Sequence, residues 1–206
     1  MHLALDFDNT IVCYEYLFHK IALEEGLISD DVGTSKVQVR DYLRSIGKED
    51  VWTQMQGIVY GKRMLESDPY PNFLTSLDHL ASENWDVSIV SHKTQYPYLG
   101  EKYDLHAISR LWVEQKILSQ STASLTQSKI HFEITKEAKI QRIRDIECDY
   151  FIDDLPEILL HDDFPESVKK ILFDPGEHHP QSSKYTVMRD WRELNNLLGI
   201  EPRTHD

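Results

Sequence analysis

The sequence predicts an α/β protein: a doubly wound parallel sheet of about five strands, with an all-helical segment inserted after the first. Three observations carry that expectation. Short apolar runs alternate with stretches of helical periodicity, the pattern that strand–helix–strand units leave in a chain. The runs end in polar residues, as strands do where they bring side chains to a ligand at the carboxyl edge of such a sheet. Between the first run and the second, residues 14–66 show helical periodicity only.

The first run is His2-Leu3-Ala4-Leu5, and it leads into Asp6-Phe7-Asp8-Asn9-Thr10. Alternate side chains of a strand share a face, which starts Asp6 and Asp8 on the same side. Carboxylates that close repel, or one takes up a proton, unless a cation lies between them. The pair points to a divalent metal site with one carboxylate available for nucleophilic or acid–base work. The competing reading is an acidic turn in which Asp8 and Asn9 cap the next helix.

In the inserted segment, Tyr16, Leu17, Ile21 and Leu23 predict a helix ending near Gly26. Val39, Tyr42, Leu43 and Ile46 predict a second, closed by Gly47; Val51, Trp52, Met55, Ile58 and Val59 predict a third, running out at Gly61. Asp68-Pro69-Tyr70-Pro71-Asn72 breaks the helical pattern. The chain thus divides into a core, residues 1–13 and 67–206, and a helical insert, residues 14–66.

The rest of the core follows in order. A helix is expected over 73–82, with Phe73, Leu74, Leu77 and Leu80 inward, then a strand over 85–90 ending in Ser91-His92-Lys93-Thr94. Residues 103–118 read as helix, 119–128 as a polar loop and 130–134 as a strand. Thr135 is placed to cap a helix over 136–147 with Ile140, Ile143 and Ile146 inward. A strand over 150–152 runs into Asp153-Asp154, and a short helix over 155–160 follows. The fifth strand, 168–173, stops at Asp174-Pro175-Gly176, and an amphipathic helix is expected over 187–198.

Composition narrows the functional classes. The formal charge is −13, from 22 basic and 35 acidic residues. Such a chain is a poor partner for a nucleic-acid polymer or an anionic membrane, which call for basic patches. A small anionic substrate is compatible, because a metal ion and a few lysines reverse the field inside a cleft. The only cysteines, Cys13 and Cys148, form neither a disulfide framework nor a zinc motif. Reduced thiols, no secretory signal pattern and no apolar run of membrane-spanning length give a cytoplasmic expectation. Oligomeric state is not legible.

The polar tips suit the transfer of a phosphoryl group, which needs charge neutralisation, an in-line nucleophile and a proton for the leaving group. Asp6 is the candidate nucleophile, forming an aspartyl-phosphate, and Asp8 the candidate general acid and base. Asp6, Asp8, Asp153 and Asp154 supply oxygen ligands of the kind Mg²⁺ prefers. Ser91 is placed to hold phosphoryl oxygens, with Asn9, Thr10, His92 and Lys93 as further substrate contacts. Lys136 and Lys139 are both candidates for the lysine that offsets carboxylate and phosphate charge.

Taken in chain order, Asp6-Phe7-Asp8-Asn9-Thr10, Ser91, a lysine near a helix start and Asp153-Asp154 resemble the four motifs of the haloacid dehalogenase superfamily, mostly phosphatases. The resemblance covers the sheet core, about two thirds of the chain. It implies a magnesium-dependent phosphatase of small phosphorylated metabolites. The metal would be held by Asp6, the backbone carbonyl of Asp8 and an acid of the last motif, Asp154 or Asp153. The insert is similar to the cap that this superfamily carries after its first motif, which closes over the site and chooses the leaving group. A phosphotransferase, a phospho-aspartate switch and a catalytically silent binding protein are the alternatives. The order of motifs speaks against a receiver-type switch, and the presence of Asp8 against both the silent protein and the dehalogenase branch.

Other residues have two readings each. Tyr14, Tyr16, Tyr60, Lys62 and Arg63 of the insert are leaving-group contacts or ordinary packing and surface. His178-His179 is a metal pair or an exposed corner. Trp52 and Trp191 are expected to pack, and Cys13 has no evident task.

Overall fold

The computed structural model describes residues 1–121 and 125–200. The expected polar loop at 119–128 therefore lies partly outside the described residues. Strand β1 (His2–Leu5) is followed by two short strands, β2 (Val12–Cys13) and β3 (Asp68–Pro69), which pair antiparallel. The chain thus leaves the core and returns to it at one ribbon. Helices α1 (Glu15–Glu24), α2 (Lys36–Ser45) and α3 (Glu49–Gly57) lie between.

The remaining elements are α4 (Phe73–Ser82), β4 (Asp86–His92), α5 (Leu105–Val113), β5 (Ile130–Glu133), α6 (Lys136–Asp145), β6 (Tyr150–Asp153), α7 (Pro156–Leu159), β7 (Lys169–Phe173), β8 (Thr186–Met188) and α8 (Leu194–Leu198). Among the described residues, β1 and β4–β8 form a six-stranded parallel sheet in the order β5-β4-β1-β6-β7-β8. The chain builds outward from β1 on one side through β4 and β5. It then crosses back to lay β6, β7 and β8 on the other. A crevice opens at the carboxyl ends where that direction reverses, beside β1 and β6.

Parallel strands buried on both faces read as continuous apolar runs, which is why Leu3, Ala4 and Leu5 are all buried. Their side chains alternate between two cores. Leu3, Leu5, Val87, Ile89 and Ile152 enter the larger, which continues through Phe18, Trp52 and Met55 of the insert. Ala4, Val90, Phe151 and Leu172 enter the smaller, under α6 and α7. Trp52 stacks on Phe18, and Trp191 packs edge-on against Phe73, so both tryptophans are packing residues.

Helix α2 starts with a reciprocal capping box between Ser35 and Gln38. The third helix of the insert starts at Glu49 and widens at Ile58–Lys62 into a turn of π geometry. There the insert meets the loop before α5 at Gly57 and Gly61. A Cβ at Gly57 would lie 2.8 Å from Pro97 Cβ, and one at Gly61 2.8 Å from Tyr103 Cβ. Glycine is needed at both positions for that approach.

The tail departs from expectation. Val187 does not open a helix: it is the middle of β8, paired parallel with β7 through Ile171↔Thr186 and Phe173↔Met188. The sheet therefore has a sixth strand, and the helix is confined to α8, closed by Gly199 in the left-handed region. Val187 and Met188 fit either periodicity, and the open edge of β7 decided between them. The helix expected over 103–118 begins at Leu105, because the Asp104 carboxylate accepts from Ala107 N and caps it. Among the described residues no helix is long and apolar enough to cross a membrane.

Candidate active site

Register brings the first acids together. Leu5 lies opposite Ile152, and Asp6 N donates to Ile152 O at 2.8 Å, so Asp6 leaves β1 level with the end of β6. Asp153 is the last residue of β6 and Asp154 the next. One carboxylate oxygen from each of Asp6, Asp153 and Asp154 lies within 4.8 Å of the others.

Lys139 holds this group from α6. Its Nζ donates to Asp6 Oδ1 at 2.5 Å and to Asp153 Oδ2 at 2.6 Å. All three side chains are buried: Lys139 is 2% exposed, Asp6 4% and Asp153 0%. Burial works against the Lys139 ammonium, but Asp153 and Asp6 outweigh it and raise its pKa. Burial pushes the Asp153 and Asp154 carboxyls above the usual range, and the charge of Asp6 pushes them further. Lys139 pulls both back. Three carboxylates against one ammonium leave an excess of negative charge in a buried place. These are hard oxygen donors, and a divalent cation such as Mg²⁺ offsets that excess. The residues therefore fit the metal that the sequence suggests.

Asp8 is placed differently. The chain turns just after Phe7, whose carbonyl accepts from Ile11 N and Val12 N at 3.0 Å each. Asn9 takes a left-handed φ of 59°, which asparagine tolerates better than most residues. Phe7 is locked edge-on between Trp112 and Phe132. Asp8 thus lies beyond the strand, and the strand alternation expected of the pair does not govern it. Its Oδ1 and Oδ2 accept from Lys93 Nζ at 2.8 and 2.6 Å, and Oδ1 also accepts from Tyr14 OH at 2.6 Å. Lys93 is 5% exposed, and its ammonium lies 5.5 Å from the Phe7 ring and 5.3 Å from the Tyr60 ring. Tyr14 precedes α1 and Tyr60 follows α3, so the insert supplies part of the Asp8 surroundings.

A cavity of about 260 Å³ lies over these groups, and Asp6, Asp8, Ser91, Lys139 and Asp154 line it. Ser91 is buried in β4, and its hydroxyl has no partner among the described residues. Thr10 is fully buried, with its hydroxyl 3.5 Å from Asp6 Oδ2, a weak contact. Asn9 lines the cavity, its side-chain oxygen accepting from Lys36. His92 faces it too, but its ring bonds to Ile134 O at 3.0 Å, and burial lowers its pKa. Lys93 is spent on Asp8 and not free for a substrate anion in this arrangement. Lys136 borders the cavity, yet its ammonium pairs with Glu157 at the surface and touches none of the aspartates. Of the two lysines, Lys139 makes the carboxylate contacts, because it lies a turn further along α6, on the side that packs on the sheet with Ile140 and Ile143.

The insert residues divide. Tyr14 and Tyr60 reach the site. Tyr16 is 75% exposed, Lys62 is exposed, and Arg63 is engaged by Glu24 and Glu66. One residue was overlooked in the sequence: Lys36, the first residue of α2. Its Nζ donates to Asn9 Oδ1 at 3.1 Å and lies 5.6 and 5.7 Å from the Phe18 and Tyr60 rings. Burial opposes its charge, but Tyr60, Asp154 and Asp8 nearby raise its pKa. A signal existed, since a cation in the first turn of a helix faces the positive end of the helix dipole and invites another explanation.

Comparison with known proteins agrees with this architecture. The chain superposes on a magnesium-bound putative HAD-hydrolase, YfnB, from Bacillus subtilis with a TM-score of 0.58, covering 97% of this chain and 98% of that one at 15% identity. A HAD phosphatase from Thermococcus onnurineus matches with a TM-score of 0.54 at 16% identity, covering 97% and 98% of the two chains. A predicted phosphoglycolate phosphatase from Haemophilus somnus 129PT matches with a TM-score of 0.55 at 12% identity, covering 95% and 96%. The chain has the haloacid dehalogenase fold. The match extends over the insert as well as the sheet, since nearly the whole of each chain is covered. No family model matches the haloacid dehalogenase-fold chain described here, and no curated protein does.

Proposed function

We propose that the protein is a magnesium-dependent phosphomonoesterase of small phosphorylated metabolites that works through an aspartyl-phosphate on Asp6. The observation that carries this reading is the Lys139 bridge between Asp6 and Asp153, with Asp154 beside it, at the reversal point of a haloacid dehalogenase-fold sheet. It also rests on the phosphatases among proteins of the same fold.

Asp6 is the nucleophile. Lys139 fixes it through Oδ1, and Oδ2 is the freer oxygen. Its attack on phosphorus breaks the bond to the leaving oxygen, and Asp8 gives that oxygen its proton; Asp8 then takes a proton from a water that attacks the phosphorus, which breaks the bond to Asp6, releases phosphate and restores the carboxylate. Ser91 donates to a phosphoryl oxygen from its buried position, and Lys139 offsets charge that develops on the phosphoryl group. Asp6, Asp154 and the backbone carbonyl of Asp8 would hold Mg²⁺, with Asp153 in support. When bound, the ion supplies charge neutralisation between the nucleophile and the phosphoryl oxygens. The helices between β2 and β3, about residues 14–66, act as a cap over residues 1–13 and 67–206. The cap reaches the acid–base group through Tyr14.

A panel of phosphomonoesters assayed with magnesium and with chelator tests the reading. Turnover is expected only with the metal, and Asp6→Asn is expected to lower it by about 10⁴-fold or more while leaving the circular dichroism spectrum unchanged. Full activity in Asp6→Asn would refute the nucleophile assignment.

A further inference from the structure

The cavity over the aspartates is not the only space in the crevice. A second cleft of about 680 Å³ shares its wall at Asn9, Lys36, Asp154 and Leu155. A group held at Asp6 therefore lies beside it. Its floor is apolar and aromatic, made by Tyr70 and Phe173, whose rings meet edge-on at 4.8 Å. Lys36 and Arg40 line it; they are four residues apart on α2, on the same face of the helix. His178 and His179 line it as well.

Of the acids that line this cleft, Asp154 belongs to the aspartate group, and Asp174 and Glu15 are engaged by backbone N–H groups. Asp174 is 4% exposed, and its two oxygens accept from His178 N and His179 N at 2.9 Å each. Glu15 accepts from Lys36 N at 3.1 Å. The cations are not matched in the same way. Lys36 has no carboxylate within ion-pair distance among the described residues, and Arg40 reaches only its exposed neighbour Asp41. Neither imidazole of the His178–His179 corner has a hydrogen-bond partner among the described residues. Lys36 is also at the wrong end of its helix for the dipole, so its placement does not serve α2. The cleft therefore offers a lysine with no ion-pair partner, an arginine paired only with an exposed neighbour, and two unbonded imidazoles around an aromatic floor.

We propose that this cleft binds the leaving group, and that the leaving group carries a second anionic group, a carboxylate or another phosphate. Lys36 sits between the two anions, Arg40 and the His178–His179 corner take the distal one, and Tyr70 and Phe173 carry the body between them. This rests on the phosphomonoesterase reading and names its substrate class. A neutral sugar or alcohol phosphate leaves the distal donors unmet.

The test separates the two claims. Binding is measured by calorimetry on the Asp6→Asn protein with magnesium, using glycerol phosphate against phosphoglycerate and a hexose monophosphate against the matching bisphosphate. The first pair reports a carboxylate, the second a phosphate. At least one partner with the second anionic group is expected to bind about tenfold more tightly than its counterpart without it. The ratio is expected to fall toward one in Arg40→Gln and in the His178→Asn, His179→Asn double variant. Wild-type turnover of para-nitrophenyl phosphate, whose leaving group has no second anion, is measured in parallel. Equal binding within both pairs, or discrimination unchanged in both variants, overturns the anionic subsite and leaves the phosphatase reading standing. Discrimination with no wild-type turnover of any ester upholds the subsite and overturns the phosphatase reading.

Discussion

Asp6 and Asp8 are two residues apart, and each is held by a lysine, yet the two settings have little in common. Asp6, Lys139 and Asp153 are all buried, and all three come from the sheet and the helix packed on it. Asp8 keeps 21% of its side chain exposed, and it takes one partner from just beyond β4, Lys93, and one from the start of the insert, Tyr14. The first arrangement is fixed as soon as β1, β6 and α6 are in place. The second is complete only when the helical insert lies against the core. The contrast assigns rigidity to Asp6, the proposed nucleophile, and a dependence on the insert to Asp8, the proposed acid–base group. That suits a reaction in which the attacking atom must be positioned before the leaving group is enclosed.

The comparison breaks most sharply at Lys139. Lys139→Ala leaves Asp6 and Asp153 buried without their cation, and it is expected to cost about 3–5 kcal/mol in urea unfolding. Activity should fall below detection. A near-wild-type midpoint would mean that the buried group is not held as described. Next comes the metal-free protein in a pH series. A carboxylate with a folded pKa above its unfolded value binds more protons when folded across the interval between the two, so stability falls as pH rises through it. Asp153 and Asp154 are both raised, chiefly by burial. In chelator, the melting temperature should decline as pH rises from about 4, the ordinary carboxylate pKa, through the raised values. Saturating magnesium should flatten the decline, and a profile unaffected by the metal would remove Asp153 and Asp154 from the ligand set.

The Asp8 side should respond more mildly. Lys93→Met is expected to lower kcat about ten- to a hundredfold. Its stability cost is expected to be about 1–3 kcal/mol, because Asp8 still reaches water. Tyr14→Phe should lose part of the same rate effect. If Lys93→Met destabilised as much as Lys139→Ala, the two settings would not differ as argued. The smallest effect belongs to Lys136→Ala, which removes an exposed pair with Glu157 and should change stability by less than about 1 kcal/mol. A large loss of activity there would return Lys136 to the site.

Much of this was readable along the chain because it is local. Each strand carries its polar tip within its own few residues: Asp6 after β1, Ser91 in β4, Asp153 and Asp154 at the end of β6. A parallel sheet then brings those tips to one edge whatever the details of packing. The choice of Lys139 over Lys136 was not readable in the same way, because both lie in the first turns of α6. It turned on which side of that helix rests on the sheet. β8 was misread because Val187 fits two periodicities, and only the free edge of β7 makes it a strand.

The chain's pattern of apolar runs and acidic tips was enough to specify five strands of the sheet, its inserted helices and the Asp6 neighbourhood, since hydrophobic periodicity and strand direction act over short range. Tertiary packing settled that Asp8 turns to Lys93 of the core and Tyr14 of the insert, that Lys36 enters the crevice, and that His178, His179 and Arg40 line one cleft. Apart from Asp8 and Tyr14, those partners are far apart in sequence, and no local periodicity records the angle at which a helical insert closes on a sheet.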